Sequence, residues 1–306
     1  MDADVKATDG RCLRYEVAGD GAPVFLMHGT PGSRLGPRPR DSVLYRLGVR
    51  LISYDRPGYG GSDRDPGRSV ASCAADVAAI ADDLGIDTFA VVGRSGGGPH
   101  AMAAAALLPD RVTRAAVLVS LRPSDADDID WYAGMNSANV REFSAARHDE
   151  LKLVESLRLL ADRTRRSPVS LLDSLRGQVT GPDRRVVRDV TFERLLLETY
   201  AEAMRAGPWG WIDDNLALRR DWGFKLSEIT QRVRLWHGAD DNVVPAGHTR
   251  WLAERIPRAE FEIQTETAHF GAMEILPDIL SWLAAEDEPE LVGARAPARR
   301  PLAAEV

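Results

Sequence analysis

The sequence predicts an α/β protein with a mostly parallel central sheet, flanking helices and a helical cap inserted between two strands. Three observations predict this fold. Over residues 1–120, short apolar runs of β type alternate with helical runs, which is typical of a parallel sheet covered by helices. Over residues 121–224, helix-like stretches follow one another without a convincing buried strand. The alternation then resumes over residues 225–285, so we interpret the middle part as an insertion.

Composition and charge narrow the classes of protein. The 306 residues suit one large domain, or a domain with a sizeable insertion. A formal net charge of −7 argues against nucleic acid or an anionic membrane as the main partner. No apolar run reaches the roughly 18 residues of a membrane span, the start lacks signal-peptide features, and the two cysteines have no metal-ligand spacing. We therefore expect a cytoplasmic protein that binds a small-molecule substrate and needs neither a metal nor an organic cofactor.

The first strands and helices follow from apolar runs and the turns between them. Residues 12–17 alternate polar and apolar and predict an edge strand, whereas 24–27 are continuously apolar, as in a strand buried on both faces. A short helix is expected near residues 42–47 and a strand at 50–54. Residues 69–84 have helical periodicity, and a glycine follows them.

The next strand leads into a turn that predicts a nucleophile. The run 89–92 is followed by Gly93-Arg94-Ser95-Gly96-Gly97 and then by a helical run at 100–108. This matches the G-x-S-x-G pattern, in which a serine occupies a strained turn between strand and helix. Small neighbours two residues away on each side prevent a clash. The alternative is a glycine-rich turn that only binds a phosphate or tightens packing.

The second half completes the sheet. Residues 142–166 and 194–205 are the clearest helical stretches of the cap. After the cap we expect a strand at 233–236, a helix at 246–256, a strand at 260–263 and a helix at 270–285. Residues 286–306 are rich in Glu, Pro, Ala and Arg and predict a disordered tail.

A serine nucleophile needs a base, and the base needs an orienting carboxylate. On the fold that carries G-x-S-x-G elbows, these partners follow in the chain order serine, acid, histidine. Here Asp240 and Asp241 come just after the strand at 233–236, and His269 comes just after the last strand. The acid and the histidine are therefore expected at the same edge of the sheet as Ser95.

The chain resembles capped members of the α/β-hydrolase fold superfamily, in the group related to prolyl iminopeptidases and small bacterial esterases. The resemblance covers residues 10–285 and rests on five features in the right order. These are His28-Gly29-Thr30-Pro31-Gly32, Asp55-Arg56-Pro57-Gly58-Tyr59-Gly60-Gly61-Ser62, the elbow, the Gly-x-x-Asp-x-x-Val-Pro pattern ending at Pro245, and His269. They are specific for the fold and much less so for the substrate.

The resemblance implies roles for particular residues. In the family's pattern the acid lies three residues after the glycine, which selects Asp241 and leaves Asp240 as a solvated loop carboxylate. Some relatives place the acid after the preceding strand, where Asp125 is the alternative. His269 is the base. The other histidines have structural interpretations: His28 and His237 hold loops, His100 packs, and His148 and His248 are solvated.

The resemblance also assigns an oxyanion hole to the backbone N–H groups of Thr30 and Gly96. The alternative for Thr30 is a loop residue without a catalytic role. For the substrate pocket, Arg94 is a candidate for binding a substrate carboxylate, with an ion pair inside the domain as its alternative. The cap is rich in aromatic residues, and Trp131 and Trp209 are candidates for an apolar pocket, although packing in the cap core is the alternative for each.

These features predict a serine hydrolase that cleaves an ester or a related acyl bond through an acyl-enzyme. A peptidase that removes an N-terminal proline is the first alternative, since acidic residues of the cap could bind the free amine. The candidates for that role are Asp125, Asp127, Asp128, Glu142 and Glu198. Lactone opening, carbon–carbon bond hydrolysis, and acyl transfer or cyclisation in biosynthesis use the same triad and stay open. A ligand receptor on the same fold is the alternative that is not an enzyme.

Overall fold

One eight-stranded sheet organises the protein. In a computed structural model, the structure describes residues 1–124 and 130–285. The strands are β1 Asp2–Lys6, β2 Cys12–Gly19, β3 Ala22–Met27, β4 Val49–Tyr54, β5 Phe89–Arg94, β6 Val112–Leu118, β7 Arg232–Gly238 and β8 Ala259–Gln264. They lie in the order β1-β2-β4-β3-β5-β6-β7-β8, and β2 runs antiparallel to both of its neighbours. The predicted mostly parallel sheet is confirmed.

The edge strand was predicted wrongly. We expected residues 12–17 at the edge, but β1 pairs outside β2, with Val5 opposite Leu13. β1 alternates exposed and partly exposed residues, and its apolar side chains are only Ala3 and Val5. So short a pattern among acidic residues does not stand out in the sequence, which is why the strand was missed.

Helices cover both faces of the sheet, and a further group of helices lies over one of its edges. They are α1 Asp41–Leu47, α2 Cys73–Asp83, α3 Gly97–Leu107, α4 Ser137–His148, α5 Glu150–Arg166, α6 Val169–Gln178, α7 Gly181–Val186, α8 Val190–Ala203, α9 Trp209–Arg219, α10 Gly247–Ala253 and α11 Leu276–Ala284. Side chains of α1 and α11 pack with one face of the central strands, while α2, α3 and α10 pack with the other. The central strands are therefore buried on both sides, as their continuous apolar runs predict.

Six of these helices, α4–α9, lie between β6 and β7, where the sequence predicts the cap. The charged stretch at 142–166 is divided at Asp149, whose side chain accepts a hydrogen bond from the backbone N–H of Lys152 and caps α5. A side chain that satisfies a free N–H group at a helix start fixes where the helix begins. The cap helices bury two apolar clusters of their own, around Leu153 and Leu172.

The last predicted helix is shorter than expected. Residues His269–Met273 form a 3₁₀ turn, and α11 begins only at Leu276, with Pro277 in its first turn. Proline suits a first turn and not a helix interior. Among the described residues, no helix is long and apolar enough to cross a membrane. The expected tail at 286–306 and the candidate acids Asp125, Asp127 and Asp128 lie outside the described residues.

Candidate active site

Ser95 occupies a strained turn at the carboxyl end of β5. Its φ angle is +55°, in the left-handed region that a residue with a side chain rarely adopts. A Cβ atom at Gly93 would lie 2.2 Å from the Gly97 carbonyl oxygen, and one at Gly97 would lie 2.2 Å from that of Met27. The glycines are therefore required by close backbone contacts around the serine, as the G-x-S-x-G pattern predicts.

The structure brings His269 and Asp241 together. The ring Nδ1 of His269 lies 2.8 Å from Asp241 Oδ2, and both side chains are buried. Asp241 Oδ1 also accepts hydrogen bonds from the backbone N–H groups of Val243 and Val244. Ser95 and His269 line one cavity, although no hydrogen bond joins them within the described residues. Asp240, by contrast, is exposed to solvent.

For each member of this pair, burial shifts the pKa in one direction and the partner's charge shifts it in the other. Burial raises the pKa of Asp241, but the charge of His269 and the hydrogen bonds from His237 and His269 outweigh burial and hold that pKa well below its usual range. Burial lowers the pKa of His269, but Asp241 outweighs it and raises the pKa above the ordinary histidine value. The carboxylate is thus ionised and can hold the imidazole in one tautomer.

A second carboxylate, from the cap, fixes the loop that carries His269. Asp183, in α7, accepts hydrogen bonds from the backbone N–H groups of His269, at 3.1 Å, and Phe270, at 2.7 Å. Burial raises the pKa of Asp183 to about 6. This residue was not predicted from the sequence, because a single aspartate in a charged helix carries no sign of a distant partner.

Thr30 and Gly96 lie side by side next to the serine. A Cβ atom at Gly96 would lie 2.3 Å from Thr30 Oγ1 and 3.3 Å from the Thr30 backbone nitrogen. Within the described residues, neither backbone N–H donates a hydrogen bond. Two unoccupied donors beside a nucleophile are the arrangement that stabilises an oxyanion.

A buried ion cluster lies beneath Thr30. Asp214, in α9 of the cap, accepts a hydrogen bond from Thr30 Oγ1 at 2.6 Å, from Arg56 at 2.5 Å and from Arg68 at 2.5 Å. The Tyr59 hydroxyl donates to the same carboxylate at 2.9 Å. Arg56 is completely buried. Asp214 was missed for the same reason as Asp183.

The cavity lies between the sheet edge and the cap and measures about 180 Å³. The loops after β3 and β5 line it from below, and residues of α4, α5, α6, α8 and α9 line it from above. Arg94, Glu142 and Trp211 are among these residues. Glu142 Oε1 accepts hydrogen bonds from Trp211 and Asn215, and burial raises the pKa of Glu142.

The two tryptophans expected in the pocket lie elsewhere. Trp131 is buried among Tyr132, Phe143 and His248, and its Nε1 donates to the Arg122 carbonyl. Trp209 packs against Arg64, whose guanidinium carbon lies 3.7 Å from the ring centroid. Both tryptophans therefore pack in or around the cap, whereas Trp211 lines the cavity.

The remaining histidines include one correction. His248 was expected to be solvated, but it is buried, accepts a hydrogen bond from the Arg122 backbone N–H and contacts the Trp131 carbonyl oxygen. Burial lowers the pKa values of His100 and His248 to about 3. His237 does more than hold a loop, because its Nε2 lies 3.1 Å from Asp241 Oδ2. Within the described residues, no group of three or more potential side-chain ligands is arranged for a metal ion.

Known proteins that are similar to this chain have the same fold. Residues 22–274 match the family described as alpha/beta hydrolase fold. Among solved structures, a bromoperoxidase from Bacillus anthracis superposes with a TM-score of 0.69 at 22% identity, over 92% of this chain and 98% of that one. At that identity the likeness concerns the fold alone.

Three curated proteins are similar to the chain in sequence. The uncharacterized hydrolase YcgS of Bacillus subtilis is 34% identical over 104 residues, which is 34% of this chain and 36% of that protein. Another curated relative is matched over 64% of its length, so the chain spans less than two thirds of both. The pimeloyl-[acyl-carrier protein] methyl ester esterase of Nitrosomonas europaea is 28% identical over 269 residues, 84% of this chain and 92% of the esterase.

Proposed function

Because the chain belongs to the alpha/beta hydrolase fold family, we propose that it is a serine hydrolase that cleaves a carboxylic ester of a small molecule through an acyl-enzyme. In this proposal Ser95 is the nucleophile, His269 the general base and Asp241 the carboxylate that orients the base. The backbone N–H groups of Thr30 and Gly96 form the oxyanion hole. The esterase among the relatives supports this choice of bond.

One observation carries the proposal. A histidine ring, hydrogen-bonded at Nδ1 to a buried carboxylate 2.8 Å away, lines the same cavity as a serine held at a φ of +55°. The Nδ1–H···carboxylate bond leaves Nε2 without a proton, so that it can accept one from a hydroxyl. A structural histidine would need neither a strained serine nor two unoccupied N–H donors nearby.

The proposed reaction has two stages. His269 Nε2 takes the proton of Ser95 Oγ while Oγ bonds to the ester carbonyl carbon, and the oxygen that becomes negative accepts hydrogen bonds from Thr30 and Gly96. The imidazolium then gives its proton to the departing alkoxide as the carbon–oxygen bond breaks. In the second stage His269 takes a proton from water as the water oxygen bonds to the acyl carbon. The bond between that carbon and Ser95 Oγ then breaks, the imidazolium returns its proton to Oγ, and the acid product leaves.

Labelling with a fluorophosphonate tests the proposal directly. We expect the reagent to modify Ser95 in the folded protein, and short p-nitrophenyl esters to compete with the label. A panel that also contains a lactone and a carbon–carbon hydrolase substrate identifies the bond preferred by the same serine. An unreactive Ser95 in the folded chain would favour a ligand receptor and contradict the proposal.

A second candidate is an aminopeptidase that removes an N-terminal residue, and Glu142 favours it. Glu142 presents a buried carboxylate to the cavity, where it could bind a free amine. Glu198, another candidate from the sequence, is exposed and pairs with Arg194. A prolyl arylamide cleaved faster than a p-nitrophenyl ester, with the amide preference lost in Glu142→Gln, would establish this activity in place of the esterase.

A further inference from the structure

Arg94 places a positive charge in the cavity without a carboxylate beside it. Its Nη1 donates to the Pro37 carbonyl oxygen at 3.1 Å and also contacts the Met273 sulfur, and both of these partners are neutral. Within the described residues, no Asp or Glu lies within ion-pair distance of Arg94. The alternative interpretation of Arg94, an ion pair inside the domain, therefore finds no support in the part of the chain that the structure describes.

Comparison with the buried arginines shows why this matters for Arg94, which is partly buried. Arg34, Arg56 and Arg68 each contact a buried aspartate, which is the usual arrangement because an unpaired charge is costly to remove from water. Burial lowers the pKa of Arg94 to about 10, so the side chain is still a cation at neutral pH. A guanidinium carries five N–H donors, and the two neutral contacts leave most of them available.

A hydroxyl donor lines the same cavity as this cation. Tyr200, in α8, lines the cavity together with Arg94, and each of the two affects the titration of the other. Burial raises the pKa of Tyr200 to about 12, so its hydroxyl keeps its proton. Its oxygen has no hydrogen-bond partner among the described residues. Leu171 and Leu196 are apolar residues of the cavity wall. Glu142 also lines the cavity, but its hydrogen-bond partners are Trp211 and Asn215.

We infer that the substrate carries a free carboxylate that binds Arg94 and Tyr200, a few bonds away from the ester carbonyl that Ser95 attacks. This inference rests on the proposed function, since it names the substrate class of the same site. The two coplanar oxygens of a carboxylate match the fork of a guanidinium, and one negative charge balances one positive charge. The short distance follows because Arg94 and Ser95 are consecutive residues whose side chains line one small cavity.

Two pairs of probes test the charge at constant shape. Monomethyl glutarate and methyl glutaramate differ only in a carboxylate and a primary amide in the acyl part. 4-Acetoxybutanoate and 4-acetoxybutanamide make the same comparison in the alcohol part. In at least one pair we expect kcat/KM for the acid to exceed that for the amide by about 10² or more, because a desolvated charge pair is lost with the amide.

Variants connect that preference to Arg94. Arg94→Gln is expected to reduce the acid-to-amide ratio to about 1, Arg94→Lys to keep part of it, and Tyr200→Phe to lower it by about tenfold, the size of one hydrogen bond to a charged group. Arg194→Gln removes the same charge from an exposed helix surface, where 82% of the side chain is accessible, and is expected to leave the ratio unchanged. Circular dichroism shows whether each variant is folded.

A binding measurement separates this inference from the proposed function. Calorimetry of Ser95→Ala with monomethyl glutarate and methyl glutaramate requires no turnover, and the acid is expected to bind more tightly, unless Arg94→Gln is added. If Ser95 neither reacts with fluorophosphonate nor hydrolyses esters but the acid still binds through Arg94, the proposed function fails and the carboxylate site stands. Equal binding of acid and amide, or a preference that survives Arg94→Gln, would overturn the inference.

Discussion

At the scale of single residues, one carboxylate organises the site. Asp241 Oδ2 lies 2.8 Å from His269 Nδ1 and 3.1 Å from His237 Nε2, and Oδ1 accepts two backbone N–H groups of the following turn. Donors on both oxygens hold the carboxylate in its ionised form and fix its orientation. The ring of His269 is therefore positioned before any substrate arrives, which is what a general base requires.

Ser95→Ala is expected to abolish turnover, with a loss on the order of 10⁶ in kcat, because no other group can form the acyl-enzyme. The fold should be kept, since the hydroxyl contributes little packing. Steady-state kinetics and circular dichroism check both points. Ser156→Ala is the control, because that hydroxyl bonds only to the carbonyl of Leu153 in its own helix. Retention of a tenth of the activity by Ser95→Ala would exclude Ser95 as the nucleophile.

Asp241→Asn is expected to lower kcat by about 10³- to 10⁴-fold, because an amide in this position favours the wrong imidazole tautomer. The pH profile should also move. A base acts when it is neutral, so kcat/KM rises as pH passes the pKa of His269, and Asp241 raises that pKa. Without the negative charge, the rise should occur at lower pH.

The exposed neighbour Asp240 supplies the control for that experiment. Asp240→Asn changes the same chemical group one residue earlier and is expected to retain both the rate and the position of the acid limb. If the acid limb of Asp241→Asn stays where it is in the native chain, then Asp241 is not the group that sets the titration of the base.

At the scale of elements, two buried carboxylates of the cap bind loops at the sheet edge. Asp183, in α7, binds the backbone of the His269 loop, and Asp214, in α9, binds Thr30 together with two buried arginines. Both contacts join a cap helix to a loop at the carboxyl end of a strand. The cap thus contacts the loops that carry two of the proposed catalytic groups, and it also covers the cavity.

Asp214→Asn is expected to destabilise the protein by about 3–5 kcal/mol, because it leaves Arg56 and Arg68 buried without a counter-charge. Urea unfolding measures the change. Asp213→Asn, on the preceding residue of the same helix, leaves one guanidinium without its partner, that of Arg64, whose side chain is 32% exposed and can be solvated. Asp213 is itself buried, so a loss is expected, but a smaller one than for Asp214→Asn, which leaves two buried guanidinium groups without a counter-charge. A loss below 1 kcal/mol for Asp214→Asn would contradict the structural role of the cluster.

At the scale of the whole molecule, buried groups with shifted pKa values make opposing contributions to the pH dependence of stability. Buried His100 and His248, with pKa values of about 3, are protonated in the unfolded chain below pH 6.5 and not in the folded one, so they remove stability as pH falls. Burial raises the pKa values of Asp76 and Asp183 to about 6. The stability that these two carboxyl groups contribute is present below about pH 4 and is lost as pH rises through 6. The two effects partly cancel between pH 4 and 6.

Asp76→Asn should disturb this balance. The native carboxyl group costs stability as pH rises from 4 to 7, because it ionises more readily in the unfolded chain. The variant has no such cost, so its free energy of unfolding relative to the native chain should increase over that range by a few kcal/mol, at about 1.4 kcal/mol per pKa unit. Urea unfolding at several pH values measures it. A difference that does not change with pH would refute the role of Asp76.

Much of this architecture could be predicted from the sequence, for physical reasons that differ between its parts. The sheet core was predictable because strands buried on both faces need continuous apolar runs. β1 was not, since its two apolar residues alternate with acidic ones. The glycine-serine turn has a steric requirement that the local sequence displays. Asp183, Asp214 and the buried state of His248 depend on partners far away in the chain, which no local pattern shows.

The orientation of cap side chains was the least predictable feature. Trp131 lies in a turn before α4, and Trp209 and Trp211 lie two residues apart in α9, yet only Trp211 lines the cavity among these three. Which tryptophan faces the cavity depends on how α4–α9 pack together, and the packing is decided by the whole assembly of helices.

Half of the residues that line the cavity come from α4–α9, a single excursion of the chain between β6 and β7. Ser95, Asp241 and His269 all lie outside that excursion. Mutation within one contiguous stretch can therefore change half of the cavity wall while the proposed catalytic residues are inherited unchanged, provided that the anchoring aspartates at positions 183 and 214 are kept.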